Sequence, residues 1–173
     1  MLLETERLTL REASLDDATF ILRLLNEPSF LRFIGDRGVR TADDATRYIA
    51  ERLIESYVVN GFGLWVVERK ASPGPIGLCG LVKRNVLPDA DIGFAFLPEF
   101  WSAGYAFESA RAVRDYALGT LGLPRLLAIV NDDNAPSIRL LEKLGLEFVR
   151  MIELSTDAPP VRLFELGGGI SDP

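Results

Sequence analysis

Between Ala90 and Leu121 the chain changes its hydrophobic period once, and small residues crowd the place where it does so. Residues 90–97 (ADIGFAFL) alternate as a strand does, with Ile92, Phe94 and Phe96 on one face and Asp91, Gly93 and Ala95 on the other. Further on, Ala106, Ala110, Val113, Ala117 and Leu121 recur at helical spacing as a stripe to be buried. Ser102, Ala103, Gly104 and Ala106 stand at the junction. A strand–turn–helix unit of this kind commits the chain to an α/β architecture. It also directs unpaired N–H groups and the positive end of a helix dipole at whatever lies above the turn. Two readings follow: the turn needs room, or an anion approaches the backbone there. Neither G-x-G-x-x-G nor G-x-x-x-x-G-K-[ST] occurs in it, so it carries neither the dinucleotide nor the Walker fingerprint. The small face at Gly93 and Ala95 has the same two explanations, a ligand close to the backbone or tight packing of a neighbouring element.

The remaining segments supply elements around that unit. Glu4–Arg11 alternates as a first strand. Ser14-x-x-Asp17 and Thr41-x-x-Asp44 are helix-start boxes, the first helix stopping at Pro28 and the second at Asn60-Gly61. Residues 28–40 show no clear period and read as an irregular connection. Residues 63–69, 75–83, 125–130, 146–154 and 161–166 read as strands. Asn134 opens a further helix, with Pro136 in its first turn, Lys143 in its last and Gly145 just beyond it. Residues 1–166 are expected to form one domain, and 167–173 a loose tail.

Composition narrows the chemistry. The chain has no histidine, which removes His-based triads and nearly all ordinary zinc or iron sites, so no metal is expected. Acid–base work must then fall to carboxylates, hydroxyls, Lys, Cys or water. The single cysteine, Cys79, cannot form an intrachain disulfide, which favours a cytoplasmic setting. A net charge of −6 argues against a nucleic-acid partner and is mildly compatible with a cationic one. Apolar runs are strand-length only, too short for a membrane span, and MLLETERL lacks the basic-then-apolar form of a secretory signal.

Taken together, E-T-E-R-L-T-L-R-E, D-I-G-F-A-F, F-W-S-A-G-Y-A-F-E-S-A and N-D-D-N-A-P-S-I-R-L-L-E-K-L-G-L-E-F follow one another in an order that resembles the GNAT superfamily of N-acetyltransferases. The similarity runs from Leu3 to Leu166 and is greatest to the branch of the ribosomal-protein alanine N-acetyltransferases. It implies a mixed, mostly antiparallel sheet of six or seven strands with flanking helices. It further implies acetyl-CoA along the strand at Ala90–Leu97, with Ala95, Phe96 and Leu97 bonded to the pantetheine arm. The pyrophosphate would rest on Trp101, Ser102, Ala103, Gly104, Tyr105 and Ala106. Relatives usually carry Gly and a basic residue where this chain has Ser102 and Ala103, so the turn brings no charged side chain of its own to a phosphate.

The same resemblance assigns roles to single residues, each with a plainer alternative. Asn134 is a helix cap by position and a pantetheine ligand by resemblance, and its oxygen and amide can serve both. Ser137 is an ordinary first-turn serine, or the proton donor to the departing thiolate. Other family members place a Tyr four residues later, where this chain has Leu141. Asp91 is a solvated strand-end acid, or the group that takes the proton from the amine, directly or through water. Trp101 and Tyr105 read as core or rim aromatics, Glu108 as a first-turn acid suited to the dipole, and Cys79 as a small buried hydrophobe. The acceptor, a small amine or a protein N-terminus, would enter near residues 26–40 and Trp65, and a homodimer stays open. Two other readings are an acyl-CoA-binding sensor without turnover and an unrelated nucleotide-binding protein.

Overall fold

A turn at Thr5–Arg7 divides the first alternating segment into a hairpin, β1 (Leu3–Glu4) and β2 (Leu8–Arg11), where the sequence reads as one strand. The computed structural model describes residues 2–167, so the expected loose tail lies, but for Gly167, outside the described residues. Both helix-start boxes form. Asp17 accepts from the Ser14 amide at 2.8 Å, and Thr41 accepts from the Asp44 amide at 3.1 Å. They open α1 (Ala18–Leu25) through a short 3₁₀ turn, and α3 (Ala42–Tyr48) directly.

Pro28 does not merely stop α1. Its fixed φ and missing N–H suit a first helical position, and it begins α2 (Pro28–Phe33) in the stretch that reads as irregular. Helix α3 continues through a wide turn at Ile49–Ile54, with i→i+5 bonding, into α4 (Glu55–Asn60), which Gly61 ends at φ 74°.

β3 (Leu64–Arg69), β4 (Ser72–Val82) and β5 (Asp91–Phe96) form an antiparallel meander. α5 (Tyr105–Asp115) leads through a second wide turn to β6 (Leu126–Asn131). α6 (Ala135–Lys143), β7 (Glu147–Ile152) and β8 (Val161–Leu166) complete the described chain. The result is one eight-stranded sheet in the order β1-β2-β3-β4-β5-β6-β8-β7, one or two strands more than expected. All neighbours are antiparallel except β5 and β6.

Strand alternation sends side chains to two separate cores. Trp65, Val67, Ile92, Phe96 and Phe164 pack with Ala110, Val113 and Ala117 of α5 and its extension. On the opposite face, Val66 and Leu78 pack with Phe20, Ile21, Leu24, Ile49 and Leu53. Strands β3 and β4 come close where Gly80 lies opposite Leu64. A Cβ at Gly80 would stand 2.1 Å from the Gly63 oxygen, so only glycine fits there.

Candidate active site

β5 and β6 meet at a single register point, Asp91 opposite Leu127, with the Leu127 N–H donating to the Ala90 oxygen at 3.1 Å. Beyond it they diverge, and β6 pairs only with β8. The phase of the bonding on β5 follows from the Leu97 N–H, which donates to Ile76 O at 3.0 Å. In an antiparallel pair every second residue exchanges bonds with the partner. Asp91, Gly93, Ala95 and Leu97 therefore bond toward β4, the Ile92 amide faces β6 at the one register point, and the amides of Phe94 and Phe96 point into the opening. This corrects the expected assignment on the strand. Leu97 is 3% exposed, packs in the α1–α3 core and does not reach the opening, and Ala95 contributes a side-chain surface rather than an amide. The Phe96 carbonyl is held at 2.9 Å by the indole Nε1 of Trp101, a half-exposed ring at the rim.

At the small face of β5 the packing reading has direct support, although Gly93 also lines the cavity described below. A Cβ at Gly93 would lie 3.4 Å from Leu64 Cδ2 and 3.7 Å from Val82 Cγ2, so ordinary side-chain packing lies next to it.

Past Phe100 the chain folds into the small-residue turn. Ser102 adopts φ 60° and Gly104 φ 81°, both left-handed; for Ser102 this is a strained backbone. Trp101 and Ser102 are the centre of a hydrogen-bonded turn that uses the Ala103 N–H, and among the described residues no protein acceptor takes the N–H groups of Ser102 or Gly104. The first amides of α5 follow directly, unpaired within the helix as at any helix start. Ser102, Gly104, Tyr105 and Ala106 line one cavity of about 1180 Å³ with Phe94, Phe96 and Asn134. Ala103 does not line it; its carbonyl points outward to Arg7 Nη1 at 3.0 Å. Tyr105 lies beneath the same guanidinium, 4.6 Å from ring centre to Cζ.

On the β6 wall, Asn134 caps α6 by accepting from the Ser137 N–H at 3.3 Å, and its side-chain amide has no protein partner among the described residues. Ser137 is half-buried and lines the cavity one turn from Leu141.

Asp91 lies on the α1–α4 face at the point of divergence, 1% exposed, and Arg84 Nε donates to it at 2.9 Å. Burial raises its carboxyl to about 6, against the charge and hydrogen bond of Arg84. A buried, partnered acid thus replaces the solvated one that its strand-end position allows. The far half of the cavity is formed by α1, α2, the connection after α2 and the α3–α4 helix, including Phe33, Arg37, Tyr48, Glu51 and Arg52. Burial pushes the Tyr48 phenol up, and Arg37, Arg52 and Arg84 oppose that rise. Both signs of charge face this half, so the overall acidity of the chain is not reproduced locally.

One expectation falls away, and two hold. Trp65 is 1% exposed and packs edge-on against Tyr116 at 5.8 Å, so it belongs to the core and not to the acceptor region. Glu108 is structural, but through tertiary contacts with Thr5 and Arg7 as well as its place on the dipole. Cys79 is fully buried with its thiol pushed up to about 12, a poor nucleophile. Tyr48, Arg84 and Arg7 were not legible as site residues, because nothing local in the sequence marks a tertiary partner.

A family model described as an acetyltransferase (GNAT) domain matches residues 7–147. The chain is 32% identical over 149 residues to the uncharacterized N-acetyltransferase YoaA of Bacillus subtilis strain 168, covering 84% of this chain and 82% of that protein. The fold is similar to that of spermidine N-acetyltransferase from Vibrio cholerae in complex with CoA and spermine. That likeness has TM-score 0.76 and 20% identity, covering 94% of this chain and 96% of the other. It is also similar to ribosomal-protein-S5-alanine acetyltransferase from Vibrio fischeri, at TM-score 0.79 and 17% identity over 99% and 98% of the two chains.

Proposed function

Because the chain belongs to the GNAT acetyltransferase family, we propose that it moves an acetyl group from acetyl-CoA to a primary amine, with both reactants bound together. The observation that carries this reading is the divergence of β5 from β6 after Asp91, which leaves inward-facing amides continuous with the bare amides of Ser102 and Gly104. The two sets of donors suit the two polar parts of the carrier. Strand amides match an amide-bearing pantetheine arm, and clustered turn amides at a helix start match a pyrophosphate. When bound, acetyl-CoA supplies an activated acyl thioester.

The chain's own groups then have separable tasks. The Phe94 and Phe96 amides are donors for negative charge developing on the thioester oxygen. Asp91, ionised above about pH 6, accepts the amine proton directly or through water. Ser137 donates toward the departing sulfur, and the free amide of Asn134 positions the arm. Holding both reactants in one cleft contributes much of the acceleration without a covalent enzyme intermediate.

The acceptor side is the half lined by α1, α2 and α3–α4. Its mixture of Arg37, Arg52, Glu51 and Tyr48 fits a small amine or a peptide N-terminus. The test is calorimetric titration with CoA and acetyl-CoA, followed by thiol release over a panel of polyamines, amino acids and N-terminal peptides. Saturable acetyl-CoA binding with turnover of at least one amine is the expected result. Binding without turnover across the panel would support a sensor, and absence of binding would remove the proposal.

A further inference from the structure

The turn has no basic side chain of its own, yet a cation stands directly behind it. Arg7, in the β1–β2 turn, donates from Nη1 to Ala103 O at 3.0 Å and from Nε to Glu108 Oε2 at 2.6 Å. Its backbone N–H donates to Glu108 Oε1 at 2.9 Å, and Thr5 Oγ1 donates to the same oxygen at 2.5 Å. The guanidinium stacks on Tyr105, and its Nη2 would stand 3.3 Å from a Cβ at Gly104. One side chain thus touches three successive residues of the turn and the first turn of α5.

The consequence follows from peptide geometry. In a trans peptide the C=O and the next N–H share a plane and point in opposite directions. Anchoring the Ala103 carbonyl outward therefore sends the Gly104 N–H inward, toward the cavity that Gly104 lines. Glu108 neutralises the guanidinium at contact distance, so the contribution is one of orientation and not of charge.

We infer that Arg7 is a positioning residue for the phosphate-facing turn, acting with Glu108 to aim the Gly104 amide at the pyrophosphate of the acyl donor. This rests on the acetyl-CoA reading above. A merely structural role would weaken every donor alike, whereas an orienting role concerns only donors that carry the pyrophosphate. The experiment compares kcat/KM for acetyl-CoA and for S-acetyl-pantetheine, which lacks it, in the wild type, Arg7→Met and Arg7→Lys, with thermal midpoints recorded. Methionine keeps an aliphatic stem over Tyr105, and lysine keeps the charge without the planar fork that reaches two acceptors.

The expected result is a loss of about tenfold in preference for acetyl-CoA over the truncated donor in both variants, close to one hydrogen bond's worth of binding. An unchanged preference, with or without a general loss of activity or stability, overturns the inference. If Arg7→Met does not fold, Arg7→Lys decides alone. A wild type that binds no acetyl-CoA fails the underlying reading instead, and the two failures are distinguished by the wild-type titration.

Discussion

Replacing Asp91 with asparagine separates the buried acid's chemistry from its shape. The carboxyl titrates near 6 in the folded protein, against an ordinary value of 3.8, because burial disfavours the charged form more than Arg84 favours it. The folded state thus holds this proton more tightly than the unfolded state does. Its contribution to stability is fully present below about pH 4 and is lost as pH rises through about 6. Between pH 5 and pH 8 the loss corresponds to roughly a tenfold change in the folding equilibrium, on the order of 1 kcal/mol.

The carboxamide of the Asp91→Asn variant cannot titrate and still offers Arg84 an acceptor. Denaturant unfolding of both proteins at pH 5 and pH 8 therefore tests the assignment by difference. The stability of Asp91→Asn relative to wild type rises by about 1 kcal/mol at the higher pH, a shift of a few degrees in Tm. Turnover in the wild type rises with pH and levels above about 6, while the variant is slower by about 10²–10³-fold and lacks that step. A stability difference that is the same at both pH values would refute the claim that this acid is desolvated. Wild-type-like turnover in the variant would remove it as the base.

Ser137→Ala lowers turnover at saturating acetyl-CoA well beyond any change in the Kd for CoA, read by stopped-flow thiol release and calorimetry. Asn134→Ala loses both the helix cap and a proposed ligand, so it costs about 1 kcal/mol in urea unfolding and weakens CoA binding in the same preparation. Gly80→Ala forces a methyl against the Gly63 backbone at the β3–β4 contact and lowers stability by about 3 kcal/mol or more, measured as a fall in the denaturation midpoint.

The parts of the fold governed by local chemistry were legible in the sequence. The two capping boxes, the Gly61 and Gly145 helix ends and the strand–turn–helix at Asp91–Asp115 each depend on residues a few positions apart. What escaped depends on distant partners. The β1–β2 hairpin turn carries no Gly, Asn or Pro; its side chains are instead tied to Glu108, 101 residues beyond Arg7. α2 escaped because proline ends one helix and begins another with equal ease. The bonding phase of β5, which turns Leu97 away from the opening and Phe94 and Phe96 toward it, is set by its pairing with β4 and leaves no mark on composition or period. Asp91 was legible as an acid in a strand, but its burial and its Arg84 partner come from the β4–β5 loop folding back over it.

Amide hydrogen exchange, resolved residue by residue with and without coenzyme A, addresses the central claim most directly. The amides of Phe94, Phe96, Ser102 and Gly104 exchange rapidly in the free protein and slow markedly when CoA saturates it. Those of Ala95 and Leu97, bonded to β4, are slow in both states. Saturation by CoA with no slowing at Phe94, Phe96 and the turn, or with slowing confined to another surface, would contradict the account.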